Sequence, residues 1–156
     1  MENVRKLFGN VFIQTRGDYG GTFRGDITLI NCTLDGTGTY RSNTGGTYDP
    51  SSKNATGYIV NMGYSADGKN GYWDWFFGFE SYMPSNMTIQ NFTSGCTGYT
   101  YVYNSLGDDV FTAGKYPLHL AESVTFIDMK PLPICAGIED LTEMSKIKVY
   151  TKKSDE

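Results

Sequence analysis

The chain has 156 residues, a net charge of −4 and only 19% charged residues. That is long enough for one domain with a buried core, and too sparse and too acidic in charge for a general nucleic-acid surface. No apolar run approaches the ~20 residues of a membrane span, and the single histidine and three cysteines (His119, Cys32, Cys96, Cys135) show no zinc-ligand spacing, so no metal is expected and the cysteines read as buried thiols.

The start, MENVRKLFGNVF, lacks both a long apolar stretch and a small-residue cleavage site, so no signal peptide is visible. NVFIQT is the first strand-like piece. It runs into TRGDYGGTFRGD, which contains Arg-Gly-Asp twice, at 16–18 and 24–26. An adhesion signal needs an exposed loop tip. Here each tripeptide sits where a strand ends or begins, and Gly17, Gly20, Gly21 and Gly25 read as turn residues.

The next piece, ITLINCT (27–33), recurs as MTIQNFT (87–93) and VTFIDMK (124–130) without a gap. Ile27, Met87 and Val124 share the first position, and Leu29, Ile89 and Phe126 the third. Asn31, Asn91 and Asp128 share the fifth, and Cys32, Phe92 and Met129 the sixth. Apolar residues at positions one and three have strand periodicity with one buried face. Asn or Asp then breaks the alternation, so the sixth residue returns inward. Asn suits such a corner because it tolerates the left-handed backbone, and stacked copies can hydrogen-bond to one another.

Between the first two copies, residues 35–57 are rich in Gly, Ser, Thr and Asn without periodicity and read as one long loop. GYIVNMG, WDWFFGF, TYVYNS, YPLHLA and KIKVYT are further strand-like pieces, and ICAGIEDLTEMSK is the one candidate for a helical turn. The class is therefore all-β with many short strands. A sandwich or jelly roll has that property too, but the in-register Asn favours a coil of stacked rungs (a solenoid). The whole of 1–156 reads as one domain, with the loop insertion at 35–57 and a charged tail at 150–156.

GDITLINCTL and SNMTIQNFTSG resemble the rungs of right-handed parallel β-helix proteins of the pectin-lyase-like superfamily. RGDYGGTFRGDITLINCTL followed by YWDWFFGFESYMPSNMTIQNFT resembles a pattern in bacterial and phage-associated members. The resemblance covers roughly residues 10–130 and implies a short right-handed parallel β-helix. The superfamily includes polysaccharide lyases and hydrolases, phage tail-spike depolymerases and non-catalytic surface modules. An extracellular, cell-surface or virion setting follows from it as an expectation. Enzymes of this fold class are usually longer, which suggests a fragment of a larger chain or a partner subunit.

Two acids stand out within that pattern. Asp18 follows a strand, flanked by Arg16 and Tyr19. Asp74 lies between Trp73 and Trp75, with Tyr72 alongside and Glu80 six residues on. In a coil, residues distant in sequence stack on one face, so Asp18 and Asp74 become a candidate catalytic pair. Arg16, Tyr19, Tyr72, Trp73, Trp75 and Glu80 then form a substrate-binding surface for a polysaccharide or oligosaccharide. Sugars pack their apolar faces on flat rings and bond their hydroxyls to carboxylates, and two carboxylates about 5–10 Å apart permit glycoside hydrolysis. The alternative reading is an Arg16–Asp18 surface ion pair, with the aromatics as core or rung stackers.

Gly107-Asp108-Asp109 resembles the paired aspartates of polygalacturonase-like hydrolases. The Asn-Thr-Asp, Gly-His-Gly and Arg-Ile-Lys of that family are missing, and a β-turn accounts for it. No calcium loop, nucleophile elbow or phosphate-binding loop is present, so no cofactor is expected. Of four Asn-x-Ser/Thr sequons, only Asn54 reads as free to carry a glycan, since Asn31 and Asn91 are corners. A short stack exposes two ends, so a homo-oligomer or larger β-helix assembly is the expected way to cover them. Such an assembly, without catalysis, is the alternative to glycan binding.

Overall fold

The computed structural model describes residues 1–16, 24–40, 48–63, 81–82, 84–103, 118–119, 121–129 and 148–155. Among these the regular structure is strand throughout, with no helix. The strands are β1 (Arg5–Phe8), β2 (Val11–Arg16), β3 (Ile27–Ile30), β4 (Thr33–Tyr40), β5 (Tyr48–Lys53), β6 (Gly57–Gly63), β7 (Ser81–Tyr82), β8 (Asn86–Gln90), β9 (Thr93–Ser94), β10 (Thr100–Tyr103), β11 (Leu118–His119), β12 (Ser123–Ile127) and β13 (Lys148–Lys152).

The repeated phrase forms β3, β8 and β12, which pair in parallel in the register of the sequence alignment. Ile27 lies beside Met87 and Met87 beside Val124. Leu29 lies beside Ile89 and Ile89 beside Phe126. These six side chains are at most 6% exposed, whereas Thr28, Thr88 and Thr125 between them are exposed or half-buried. Burial of each large apolar side chain contributes roughly 1.5–3 kcal/mol, which fixes which face turns inward.

The fifth position is the corner. Asn31, Asn91 and Asp128 have φ of 52°, 49° and 55°, a left-handed backbone that costs most L-residues roughly 1–2 kcal/mol and that Asn and Asp visit routinely. Beyond it Cys32 and Phe92 are buried, and Met129 packs against the core. Phe92 meets Phe12 of β2 edge to face, centroids 5.3 Å apart.

Two further members extend this arrangement. Asn3 (φ 55°) donates its N–H to the Ile30 carbonyl, and β13 pairs with β12, Val149 beside Val124. Sequence alignment misses both. Only two residues precede Asn3, and β13 carries Tyr150 where the other copies carry Thr28, Thr88 and Thr125.

After the corner the pattern continues. Arg5 (β1), Thr33 (β4) and Thr93 (β9) are aligned in parallel, as are Val11 (β2), Tyr58 (β6) and Tyr101 (β10). Ser81 (β7) lies beside Leu118 (β11). Two stretches of the chain take the four sheets in the same order: β4, β6, β7 and β8, and then β9, β10, β11 and β12. Eight of the nine strand pairs among the described residues are parallel, which removes the antiparallel sandwich.

Two expectations are corrected. Residues 35–57 are not one loop: β4 and β5 pair antiparallel, Thr39 beside Asp49 and Tyr40 beside Tyr48. Leu34, Gly36 and Gly38 are buried while Asp35, Thr37 and Thr39 are half-buried. The alternation exists but is carried by glycine, so hydropathy does not show it. Close approach requires those glycines. A Cβ at Gly36 (φ 67°) would lie 3.0 Å from the Cys96 nitrogen, and one at Gly38 (φ 88°) 2.9 Å from the Tyr48 ring. The charged tail at 150–156 also begins too early. Tyr150–Lys152 belong to β13, and Ser154 donates its N–H to Asp128 Oδ1 at 2.9 Å. All five side chains of β13 are exposed, so backbone pairing, not hydropathy, makes the strand.

Candidate functional site

The sheets differ in what their polar groups do. In the β3–β8–β12 sheet they bond to one another. Asn91 Nδ2 donates to Asn31 Oδ1 at 2.9 Å, and Asn31 Nδ2 to Asn3 Oδ1 at 3.3 Å. At the opposite strand ends Asp26 Oδ1 accepts both the backbone N–H (3.1 Å) and Nδ2 (3.0 Å) of Asn86, and Asn86 Oδ1 accepts from Ser123 at 2.8 Å. This second ladder was legible as the small polar residue before each copy of the phrase. It also explains the second Arg-Gly-Asp. Asp26 holds the next pass, Gly25 (φ 100°) accepts from the Ser85 N–H, and Arg24 lies 4.6 Å over the Tyr82 ring. Three sequon asparagines are thereby occupied as ladder members, Asn31, Asn86 and Asn91. Asn54, expected to be free, instead donates Nδ2 to the Gly36 and Gly38 carbonyls at 2.9 and 3.0 Å.

The β2–β6–β10 sheet holds strands that candidate residues end or follow in the chain. Its strands run parallel, Arg16 ends β2 beside Gly63, the end of β6, and β10 ends at Tyr103 beside Val60. Segments 17–23, 64–80 and 104–117 follow β2, β6 and β10 in the chain. They carry Asp18 and Tyr19; Tyr72, Trp73, Asp74, Trp75 and Glu80; and Asp108 and Asp109. All of these lie outside the described residues, as do Cys135 and the helical candidate at 134–146. Arg16 is described only as the last residue of β2. His119 sits in β11 beside Tyr82.

Sequence reasoning missed the outer surface of the same sheet. Tyr58 and Tyr101 stack with centroids 6.0 Å apart and planes 27° apart, and Tyr99 continues the row 6.0 Å from Tyr101 at 36°. Tyr58 and Tyr101 are half-buried and Tyr99 is 66% exposed. The signal was Tyr-x-Tyr in GYTYVY beside the Tyr of GYIV, two pieces read only as strands. Inward from them Gly57, Ile59, Thr100 and Val102 are buried.

Elsewhere an open depression lies against β13, lined by Asp128, Met129, Thr151, Lys152 and Lys153. Arg5 pairs with Asp35 at 2.9 Å, and Lys53 Nζ donates to the Asp35 carbonyl and to Thr37 Oγ1. Among the described residues no group of three or more His, Cys, Asp or Glu is gathered to hold a metal, and no helix is long and apolar enough to cross a membrane. Cys32 and Cys96 are free thiols. No family model, no curated protein and no solved structure matches the chain.

Proposed function

We propose that the chain is a right-handed parallel β-helix module that binds extracellular polysaccharide along the edge where β2, β6 and β10 end. The supporting observation is that β2 and β6 end side by side, at Arg16 and Gly63, and that β10, parallel to β6, ends at Tyr103 beside Val60. Parallel strands deliver their following segments to the same side. The segments that follow these strands in the chain carry Asp18, Tyr19, the Tyr72–Trp75 run and Glu80. In this reading the aromatics stack on pyranose faces, Arg16 and Glu80 bond to hydroxyls, and Asp18 and Asp74 flank the scissile or bound unit. The right hand follows from the general preference of parallel crossovers.

Binding to an array of neutral and acidic polysaccharides, with product analysis of each hit, tests this. Selective binding by wild type, lost in both Asp18→Asn and Asp74→Asn, is the expected result. Shortened products lost in the same variants make the module a hydrolase or lyase. Failure to bind any glycan, with both variants folded as wild type, contradicts the proposal.

A second reading, a non-catalytic structural coil within a larger surface or tail-spike assembly, is favoured by the apolar ends. Met1, Val4, Leu7 and Phe8 at the first pass and Val149 and Tyr150 at the last are all at least 38% exposed. Such surfaces mark contact sites.

A further inference from the structure

The β3–β8–β12–β13 sheet has matching edges at its two ends. β13 is the outermost strand at one end, and Met1–Asn3 line β3 at the other, with Glu2 beside Ile30. Among the described residues no strand lies beyond either edge. The backbone of each edge is half used. The Ile30 N–H donates to the Met1 carbonyl and the Asn3 N–H to the Ile30 carbonyl, which turns the N–H and carbonyl of Glu2 outward. The Asp128 N–H donates to the Lys152 carbonyl, which turns those of Thr151 and Lys153 outward. Glu2 and Lys152 hold the same place in the repeat, since both align with Ile30, Gln90 and Ile127. By the same count Met1 matches Thr151, and the corner residue Asn3 matches Lys153. Beside β13 at this corner is the open depression of about 550 Å³ lined by Asp128, Met129, Thr151, Lys152 and Lys153.

We propose that this depression is the socket for Met1–Val4 of a second copy of the chain, which continues the sheet beyond β13 in parallel and in register; this rests on the assembly reading above. Backbone, charge and apolar contacts agree on that register. The Glu2 N–H meets the Thr151 carbonyl and the Lys153 N–H meets the Glu2 carbonyl, repeating the two bonds of Ile30 with Met1 and Asn3. Glu2, the one acid of the incoming segment, comes beside Lys152 with Lys153 next to it. Met1 and Val4 are the exposed apolar residues at the inward third and sixth positions. Met129 holds the sixth position after β12 and lines the depression, and Ser154, beyond the corner after β13, is too small to cover it. The charges also select against a different pairing. Two β13 strands joined antiparallel about Tyr150 would set each Lys148 against a Lys152, like charges directly opposite. The lysines therefore bar tail-to-tail pairing and accept an edge that brings an acid in register. The contact joins unlike ends, so each added copy presents a new edge and the product is an open row rather than a closed dimer.

The test is sedimentation velocity over a concentration series at low salt. The samples are wild type, Glu2→Lys, Lys152→Glu, an equimolar mixture of those two variants, and the Glu2→Lys/Lys152→Glu double variant. Both positions are exposed, and circular dichroism confirms folding of each protein. The expected result is wild-type association that grows past the dimer with concentration. Each single reversal should weaken it by about tenfold or more, because lysine then meets lysine or glutamate meets glutamate. The mixture should recover association by alternating the two variants, and the double variant should recover it alone. If Lys152→Glu strengthens association and Glu2→Lys leaves it unchanged, the contact is tail to tail. The inference is then overturned and the assembly reading stands. The same holds if every variant associates as wild type does, or if the singles weaken and neither mixture nor double variant recovers. A wild type that stays monomeric at every concentration overturns the inference and self-assembly together.

Discussion

The β3–β8–β12–β13 sheet and the β2–β6–β10 sheet are built alike, from parallel strands distant in the sequence, yet they spend their polar residues differently. The first closes on itself: Asn3, Asn31 and Asn91 bond in a row at one end, and Asp26, Asn86 and Ser123 at the other. The second keeps Tyr58, Tyr99 and Tyr101 toward its surface and sends acid-bearing segments from its strand ends. Side chains bonded to their own neighbours stabilise, and the first sheet holds its register in this way.

Several substitutions break this contrast if it is wrong. The largest effect is expected where the sheets share a core. Phe126→Ala or Leu29→Ala, both at fully buried sites, should cost about 3–5 kcal/mol in denaturant unfolding. Gly36→Ala comes next, at roughly 2–3 kcal/mol, because it combines a left-handed backbone with contact against Cys96 backbone. Asn31→Ala removes the corner preference and two ladder bonds and should cost about 2 kcal/mol, whereas Asn31→Gly keeps the backbone and loses about 1 kcal/mol from the bonds alone. An equal loss in the two variants would mean that the corner conformation is not what asparagine supplies. Arg5→Ala should cost at most about 1 kcal/mol, and less in high salt, since the Arg5 side chain is 68% exposed. Tyr99→Ala should leave the unfolding midpoint within about 0.5 kcal/mol of wild type; a larger loss would make the row a structural stack.

The sequence made the first sheet legible and the second only in outline. In ITLINCT, MTIQNFT and VTFIDMK the burial, the corner and the register each leave a separate mark, and the three copies agree in kind at the first, second, third, fifth and sixth positions. The hairpin of β4 and β5 escaped because its inward positions are Gly36 and Gly38, which contribute close approach rather than hydrophobicity. β13 escaped because an edge strand with five exposed side chains has no inside to mark. The tyrosine row escaped for a different reason. Tyr58 and Tyr101 are 43 residues apart, and only the β6–β10 pairing makes them neighbours. Asp18 and Asp74 lie outside the described residues.

The most direct test of this division is the binding isotherm of a neutral polysaccharide to wild type, Asn31→Gly and Asp74→Asn, at a temperature where all three are folded. The expected result is wild-type affinity in Asn31→Gly and lost affinity in Asp74→Asn, with the order reversed for thermal stability. Loss of affinity in the ladder variant with retention in the acid variant, or no binding by wild type, would contradict the account.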